Sequence, residues 1–392
     1  MKKEMKVFLA IIAFTGLALS LSFQVFGPYF KEVYNVDAIQ RGMIEFPREL
    51  PGVISVLLVA GLSFLGDFKL SIIAQLFCVI GIMFLGIVTP VFEVMLVFLF
   101  INSLGFHLFG TMRQSIGLAI AGNENIGRTI GRFNGLYTAF TMVGSGIAYI
   151  GFKVGFFDFS NDIKLPFVIS AFLFLISIAL LIYLSKLITL PKTKKRMNFV
   201  FRKEYKLYYS LVILFGVQEQ IMLVYGPWVL IELLSKGADT ISIIAFVGSF
   251  IGMFFIPYIG KITDKYGLRK VLFVDAFSFV FVYVSYGLLV TGFVTGKLPL
   301  TGLPVLLAYS LVIVDKMSTQ MGMVRTVYLK SILVEESDIT PTLSLGMSMD
   351  HVVSIIAAVA GGVVWVTMGP QYIFYVAALV SLFNIYIASR IK

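Results

Sequence analysis

Residues 260–270 read GKITDKYGLRK and lie between two long apolar runs, at 241–259 and 271–290. The charged residues and glycines of this stretch are Gly260, Lys261, Asp264, Lys265, Gly267, Arg269 and Lys270. Each flanking run is close to the roughly 20 residues that an α-helix needs to cross the hydrocarbon of a bilayer. The stretch is therefore predicted to form a tight, charged turn in water at one membrane face.

The composition of the whole chain is that of a membrane protein. Of its 392 residues, 59% are hydrophobic and 13% are charged, and the mean hydropathy is +0.96. A soluble domain carries about 25% charged residues. The apolar runs are continuous rather than alternating, which favours helices over barrel strands. The single cysteine, Cys78, excludes an intrachain disulfide.

Twelve apolar segments predict an all-α membrane protein with two six-helix halves. The first half, residues 1–188, has predicted helices at 7–30, 38–62, 70–89, 91–121, 127–152 and 164–188. The second half, residues 206–392, has them at 206–234, 240–260, 270–292, 299–331, 340–367 and 371–390. The first run is too long for the apolar core of a signal peptide. A basic cytoplasmic linker is predicted at 189–205, where it can contact anionic lipid headgroups.

The net charge of +10 is distributed unevenly between the predicted loops. Placing the N-terminus in the cytoplasm puts lysines and arginines on that side with a bias of roughly three to one. Both termini are therefore predicted to be cytoplasmic, in a membrane that we expect to be a prokaryotic plasma membrane. Because the charge follows this membrane rule, it gives no reason to expect a nucleic-acid partner.

The frame Gly-x-x-x-Asp-Lys-x-Gly-x-Arg-Lys at 260–270 resembles the loop signature of the major facilitator superfamily. That signature lies between helices 2 and 3 and recurs between helices 8 and 9, where the present stretch falls. The turn at 61–69 resembles a degraded copy that keeps Asp67 and Lys69. The resemblance covers essentially the whole chain, and it implies two parallel six-helix repeats, a substrate site at the midplane and alternating access.

Weaker patterns accompany the signature. Gly110-Thr-Met-Arg113 in helix 4 resembles Gly322-Met-Val-Arg325 in helix 10, as expected for related halves. Arg113 and Gly117 fit an Arg-x-x-x-Gly pattern of the family, although its usual glutamine is replaced by Ile116. Helix 5 lacks the proline of the Gly-Pro-x-x-Gly-Gly pattern of drug antiporters, which argues against proton–drug exchange of that type.

Polar and ionisable groups recur at one depth on several predicted helices, with Glu45 nearer the outer side. Such groups are costly inside hydrocarbon and are usually functional. We therefore predict a central cavity for substrate and coupling; static salt bridges, such as Arg48 with Glu219 or Asp350, are the alternative. The candidates are Gln24, Arg48, Glu49, Asn102, His107, Glu219, Asp315, Lys316, Asp350 and His351.

A second set of residues is predicted to gate the cytoplasmic side. The resemblance implies that Asp264 contacts the N-terminal end of helix 5 near residues 127–128, and we expect it to pair with Arg325. Carboxylates are attracted to unsatisfied helix N–H groups and to cations. The gating candidates are Asp67, Arg113, Gly260, Asp264, Lys265, Gly267, Arg269 and Arg325.

These features predict a secondary transporter for a small polar or charged solute, proton-coupled and monomeric. No cofactor is expected, and the absence of a nucleotide-binding loop argues against ATP-driven pumping. His107 and His351 lack a cysteine partner and paired spacing, so no metal site is predicted. A passive facilitator or an efflux antiporter is the alternative within the family. A membrane-embedded enzyme or a receptor is the alternative outside it, and no catalytic constellation favours an enzyme.

Overall fold

The computed structural model describes residues 3–121, 126–190, 200–335 and 338–391. Helices dominate this part of the chain, and it contains no β-strand. The fifteen α-helices are α1 (Lys3–Phe23), α2 (Phe26–Tyr34), α3 (Ala38–Met43), α4 (Glu45–Gly61), α5 (Asp67–Ile87), α6 (Phe92–Ala121), α7 (Ile126–Lys153), α8 (Leu165–Leu187), α9 (Lys206–Glu232), α10 (Ala238–Tyr266), α11 (Leu268–Val294), α12 (Leu303–Gln320), α13 (Met323–Ser331), α14 (Ile339–Thr367) and α15 (Pro370–Arg390).

Three predicted membrane helices are each broken into two. The first is divided into α1 and α2, the second into α3 and α4, and the tenth into α12 and α13. Proline explains the first two breaks, because Pro28 and Pro47 offer no N–H to the carbonyl four residues earlier. The third break falls at Met321 and Gly322. Joining each divided pair gives the twelve predicted spans.

Within the described residues, ten helical segments are long and apolar enough to cross a membrane, with α1 and α2 counted together. The two predicted spans outside this set are α3–α4 and α12–α13, and both carry charges, among them Arg48 and Asp315. Irregular backbone at membrane depth is tolerated where protein or a water-filled cavity surrounds it. These two segments are therefore the ones expected to line a polar site.

The chain forms two compact units. The first contains Met1–Asn35, Leu50–Met197 and Ala238–Ser249. In it α1 packs against α7 and α8, and α5 packs against α6 and α8. Small residues allow these contacts: a Cβ added at Gly144 would lie 2.8 Å from the Cβ of Ser20. Small residues at helix interfaces are the usual basis of close packing in membranes.

The second unit contains Val36–Glu49, Asn198–Gly237 and Phe250–Lys392. In it α11 packs against α15, and α9 packs against α14. The short helix α3 also packs against α14, although it comes from the first half of the sequence. The division at 188 and 206 stays a prediction, and residues 191–199 of the predicted linker lie outside the described residues.

Two turns in the chain share one conformation. Gly66 has φ 78° and ψ 159°, and Gly267 has φ 85° and ψ 152°. Both glycines precede a long helix, and an L side chain rarely adopts this positive φ. When the two turns are aligned on these glycines, Lys69 matches Lys270. Asp67 then matches Leu268, so it is not in register with Asp264.

Candidate functional site

Glu45, at the start of α4, is fully buried in the second unit. Its Oε1 accepts hydrogen bonds from Arg41 Nη1 at 2.5 Å and from Arg48 Nη1. Its Oε2 accepts from Gln220 Nε2, on α9, at 3.0 Å. Removing a carboxylate from water is costly unless it is paired and hydrogen-bonded. The three donors meet that requirement, so Glu45 links the start of α4 to α9.

One turn further along the chain, Glu49 contacts a histidine of α14. Glu49 Oε2 lies 2.7 Å from His351 Nδ1, and both side chains are largely buried. Imidazole is the side chain that ordinarily changes charge between pH 5 and 8. With Glu49 ionised, the pair is a hydrogen bond to a carboxylate when His351 is neutral and an ion pair when His351 is protonated.

Three more predicted carboxylates belong to the same unit, on three different helices. Glu219 is on α9, Asp315 is on α12, and Asp350 is on α14 beside His351. Asp315 is only 4% exposed. Asp350 lies against Gly216, where an added Cβ would be 2.3 Å from Asp350 Oδ1. Among the described residues, the Oδ1 atoms of Asp315 and Asp350 have no hydrogen-bond partner.

Lys316 and Arg325 add positive charge to this unit. Lys316 follows Asp315 on α12 and is partly buried. Arg325, on α13, is 4% exposed; its Nη2 donates to Asp275 Oδ2 on α11 at 2.6 Å. The guanidinium also lies 3.8 Å from the ring centroid of Phe215. Arg325 thus has an aromatic and an anionic partner inside the bundle.

The candidates chosen from the sequence leave out four residues that the structure brings into this network, namely Arg41, Glu45, Gln220 and Asp275. Asp275 was detectable, because it is a carboxylate inside the apolar run 271–290. Glu45 was seen and placed nearer the outer side, which hid its contact with Arg48. The role of Gln220 had no such signal, since its neighbour Gln218 has the same side chain and contacts Ser381 and Asn384 instead.

Three predicted site residues belong to the first unit. Asn102, on α6, donates from Nδ2 to the carbonyl of Cys78 on α5 at 3.1 Å. His107 Nδ1 lies 2.9 Å from the carbonyl of Ser103 on its own helix. Gln24 lies at the break between α1 and α2, partly buried. The Asn102 side chain therefore links α6 to α5, whereas Gln24 lies where the first membrane helix is interrupted between α1 and α2.

The gating candidates have different surroundings. In the first unit, Arg113 lies 3.8 Å from the ring centroid of Tyr137, and Asp67 accepts a hydrogen bond from Ser115. In the second unit, Lys265 lies over Tyr266 and Arg269 donates to the carbonyl of Ser389 at 3.1 Å.

Gly267 makes the turn between α10 and α11. The side chain of Asp264 and the surroundings of Gly260 lie outside the described part of the chain. The expected contact between Asp264 and Arg325 therefore stays a prediction. The partner that the structure gives Arg325 is Asp275.

A comparison with sequence models of known families identifies the family to which the chain belongs. A sequence model described as the Major Facilitator Superfamily matches residues 7–333. The chain belongs to the major facilitator superfamily. The fold class and the resemblance predicted from the loop signature are thereby confirmed. This facilitator-superfamily chain is an integral membrane protein and a secondary active transporter.

Solved structures of the superfamily match the chain along its length. The nucleoside transporter NupG matches with a TM-score of 0.75 and 16% identity, over 99% of this chain and 98% of that chain. A D-xylose–proton symporter matches with a TM-score of 0.72 and 13% identity, over 98% and 96%. A bacterial homologue of the iron transporter ferroportin matches with a TM-score of 0.70 and 12% identity, over 99% and 98%. A search of curated protein sequences found no match. At such identities the structural likeness shows the superfamily fold alone.

Proposed function

We propose that this transporter couples the movement of a small polar or charged solute to protons, as a monomer in a prokaryotic plasma membrane with both termini in the cytoplasm. The solute and the proton would use the charged groups of the second unit. The transporter is proposed to have no enzymatic activity and no nucleic-acid partner.

The observation that carries the proposal is the contact between Glu49 and His351. The two side chains lie 2.7 Å apart inside membrane-spanning helices, and they join α4 to α14. With Glu49 ionised, adding or removing one proton at His351 converts this contact between an ion pair and a hydrogen bond from a neutral imidazole to a carboxylate. Such a change alters the strength with which the two helices hold each other, which is what coupling a proton to a conformational change requires.

The neighbouring carboxylates provide groups that can bind the proton. Burial raises the energy of an ionised carboxylate, and a nearby cation lowers it. Asp350 is adjacent to His351 on α14, and its Oδ1 has no hydrogen-bond partner among the described residues. A site that is exposed first to one side and then to the other changes this balance in each cycle. Asp350 is therefore the first candidate for proton binding, and Asp315 is the second.

Arg48 is the permanent cation of the proposed site, because guanidinium does not lose its proton in proteins. In this structure it shares the Glu45 carboxylate with Arg41. An anionic group of a substrate would compete for the same guanidinium. Substrate and carboxylate would then exchange at one cation, which supports a polar or charged solute over a purely apolar one.

Two alternatives of the same fold stay open to test. A passive facilitator needs no titrating carboxylate, and it would move solute at a rate independent of a pH gradient. An efflux antiporter would move solute outward in exchange for protons that move inward.

The first experiment is a thermal-shift screen of the purified protein with nucleosides, pentoses, short peptides and drugs, since a ligand that binds only the folded state stabilises it by mass action.

Solute uptake into proteoliposomes then tests the coupling. Uptake of a ligand found in the screen should respond to an imposed pH gradient in the wild type. Asp350→Asn should abolish that response while it retains exchange of solute across the membrane. Asp162→Asn, a matched change at an exposed loop residue, should leave the response intact. An unchanged pH response in each of Glu219→Gln, Asp315→Asn and Asp350→Asn would favour the passive facilitator.

A further inference from the structure

A cavity lies between α11 and α12 in the second unit. Its volume is about 370 Å³, which is within the range of roughly 300–1,000 Å³ that is usual for ligand sites. The residues of the two helices that line it are Phe281, Ser285, Leu288, Leu289, Leu307 and Leu311. None of these residues is charged, and Ser285 is the one polar residue among them. The cavity is therefore suited to an apolar group.

The spacing of the lining residues gives the cavity its direction. Residues 281, 285, 288 and 289 recur every three or four positions and share one face of α11, while residues 307 and 311 share one face of α12. The face of α11 extends roughly 12 Å along the helix axis from Phe281 to Leu289, at 1.5 Å per residue. Ser285 has the smallest side chain on this face, so it leaves room at the middle of the cavity. The cavity is therefore elongated along the helices.

The loop at 295–302 forms one end of the cavity. Leu298 of this loop is also a lining residue, and its N–H donates to the carbonyl of Gly292 at 3.0 Å. A Cβ added at Gly292 would lie 2.4 Å from Leu298 Cδ1. The loop thereby places Leu298 against the last turn of α11, and it leaves the neighbouring Lys297 exposed.

The side chains beside the cavity face the bilayer. Phe281, Leu288 and Leu307 are 64%, 59% and 46% exposed, and exposed apolar surface of this kind marks a membrane contact. Since α11 is long and apolar enough to span the membrane, the molecules next to these residues are lipids. A soluble ligand would reach the cavity only through hydrocarbon. An acyl chain matches the cavity, because it is elongated and apolar.

The charge at the loop favours one class of headgroup. Lys297 is the only acidic or basic residue in the sequence between Asp275 and Asp315. No carboxylate of α11, the loop or α12 therefore lies between these two positions to neutralise it. Lysines at a membrane surface attract anionic lipids.

We propose that the cavity between α11 and α12 binds one acyl chain of an anionic phospholipid, with the headgroup at Lys297. The lipid belongs to the leaflet that adjoins the loop at 295–302. Asp315 follows Leu311 by four residues on α12, so a chain in the cavity supports the helix that carries this buried carboxylate. The proposal does not depend on proton coupling or on the identity of the solute.

Photo-crosslinking tests the position of the acyl chain. The probe is phosphatidylglycerol with a diazirine in the middle of one chain, added to the purified transporter in dodecyl maltoside micelles. Mass spectrometry of the digested protein should find crosslinks concentrated at residues 281–289 and 307–311, and unmodified phosphatidylglycerol should compete with the probe. Crosslinks spread evenly over the exposed faces of the other helices would show annular lipid only and would overturn the proposal.

A pair of leucine variants tests the cavity itself. Ser285→Leu fills the middle of the cavity and should abolish the crosslinks to α11. Val284→Leu is the matched control, since Val284 is the preceding residue and does not line the cavity. It should leave the crosslinks unchanged. Crosslinking at the wild-type level in Ser285→Leu, or an equal loss in both variants, would contradict a chain bound at this position.

A change in the loop tests the headgroup independently of helix packing. Native mass spectrometry of the wild type in equal amounts of phosphatidylglycerol and phosphatidylcholine with identical chains should show about a fivefold preference for the anionic lipid, as expected for one lysine. Lys297→Gln should bind the two lipids equally. Lys153→Gln, at an exposed lysine of the first unit, should keep the preference. A preference that persists in Lys297→Gln, or that is lost in Lys153→Gln, would overturn the assignment of the headgroup to Lys297.

Discussion

The two units differ in the kind of polar group that they bury. In the first unit, neutral groups make buried contacts between helices: Ser20 Oγ lies 2.8 Å from Ser145 Oγ, and Thr15 Oγ1 lies 3.2 Å from Ser177 Oγ. The second unit also has neutral contacts, such as Gln218 with Ser381, but it adds contacts between ionisable groups, such as Arg325 with Asp275 and His351 with Glu49.

This difference in buried polar groups indicates that the two units have different roles. Hydroxyl contacts between membrane helices contribute little each, about 0.6 kcal/mol on average, and they do not change with pH. Charged contacts are far more sensitive to the loss of one partner, and those that include an imidazole or a carboxyl group can also gain or lose a proton. The first unit is therefore suited to hold its helices in one arrangement, and the second is suited to respond to protons and charged solutes.

The largest expected effect comes from breaking a charged contact of the second unit. Asp275→Ala would leave the buried Arg325 guanidinium without the carboxylate that it binds on α11. Removing one partner of a buried ion pair costs about 3–5 kcal/mol. Denaturant titration of the purified protein in mixed micelles should show a loss of that size.

Two further variants test whether the unpaired charge of Arg325 causes this loss of stability. Asp275→Leu combined with Arg325→Met replaces the pair by apolar groups and should recover most of the lost stability. In the first unit, Arg113→Met removes a guanidinium that lies over Tyr137, and it should cost no more than about 2 kcal/mol. A loss for Arg113→Met as large as that for Asp275→Ala would contradict the contrast between the units.

Much of this contrast was readable from the sequence. Continuous apolar runs gave the helices, because the length of a span is fixed by the thickness of the bilayer. The Gly–Asp–Gly frame of 260–270 indicated the family, because its charges and glycines have the spacing of the superfamily's loop signature. The charges at 48, 49, 219, 315, 350 and 351 were recognised because charge inside hydrocarbon is costly whatever its partners are.

Most of the partners could not be read from the sequence. Arg48 is an exception, since it pairs with Glu45 at a spacing of three residues that places side chains on one helix face, whereas Glu219 or Asp350 was named as its alternative partner. Nothing in a one-dimensional pattern distinguishes Gln220, which binds Glu45, from Gln218, which binds α15. Asn102 was assigned to the cavity because it is polar, yet its amide ties α6 to α5.

A smaller effect is expected from the neutral contacts of the first unit. Thr15→Val removes the hydroxyl that lies 3.2 Å from Ser177 Oγ and that accepts from Gln75 Nε2 at 3.4 Å. The same denaturant titration should show a loss of about 0.6 kcal/mol. Uptake by this variant should keep the pH response of the wild type, and loss of that response would show that the first unit takes part in coupling.

The smallest effect should come from charges of the second unit that lie outside the membrane. Asp338, just before α14, accepts hydrogen bonds from Tyr205 Oη at 2.7 Å and from Arg202. These donors hold the pKa of Asp338 below its usual value, with the Tyr205 hydroxyl contributing most. Variants of this contact test whether the stabilisation of the fold by a charge pair depends on its position relative to the membrane rather than on its place in the second unit.

Asp338→Asn should lower the melting temperature slightly at pH 7. A carboxyl group with a lowered native pKa stabilises the fold fully above its unfolded pKa, near about 3.9, and loses that contribution as the pH falls through the native value. The difference in melting temperature between wild type and Asp338→Asn should therefore stay constant from pH 8 to pH 5. Glu335→Gln, at the more exposed partner of Arg202, should have a still smaller effect, because solvent screens exposed pairs. A difference that shrinks between pH 8 and pH 6 would point to another group that titrates in that range, and would contradict a contribution from the Asp338 carboxylate alone.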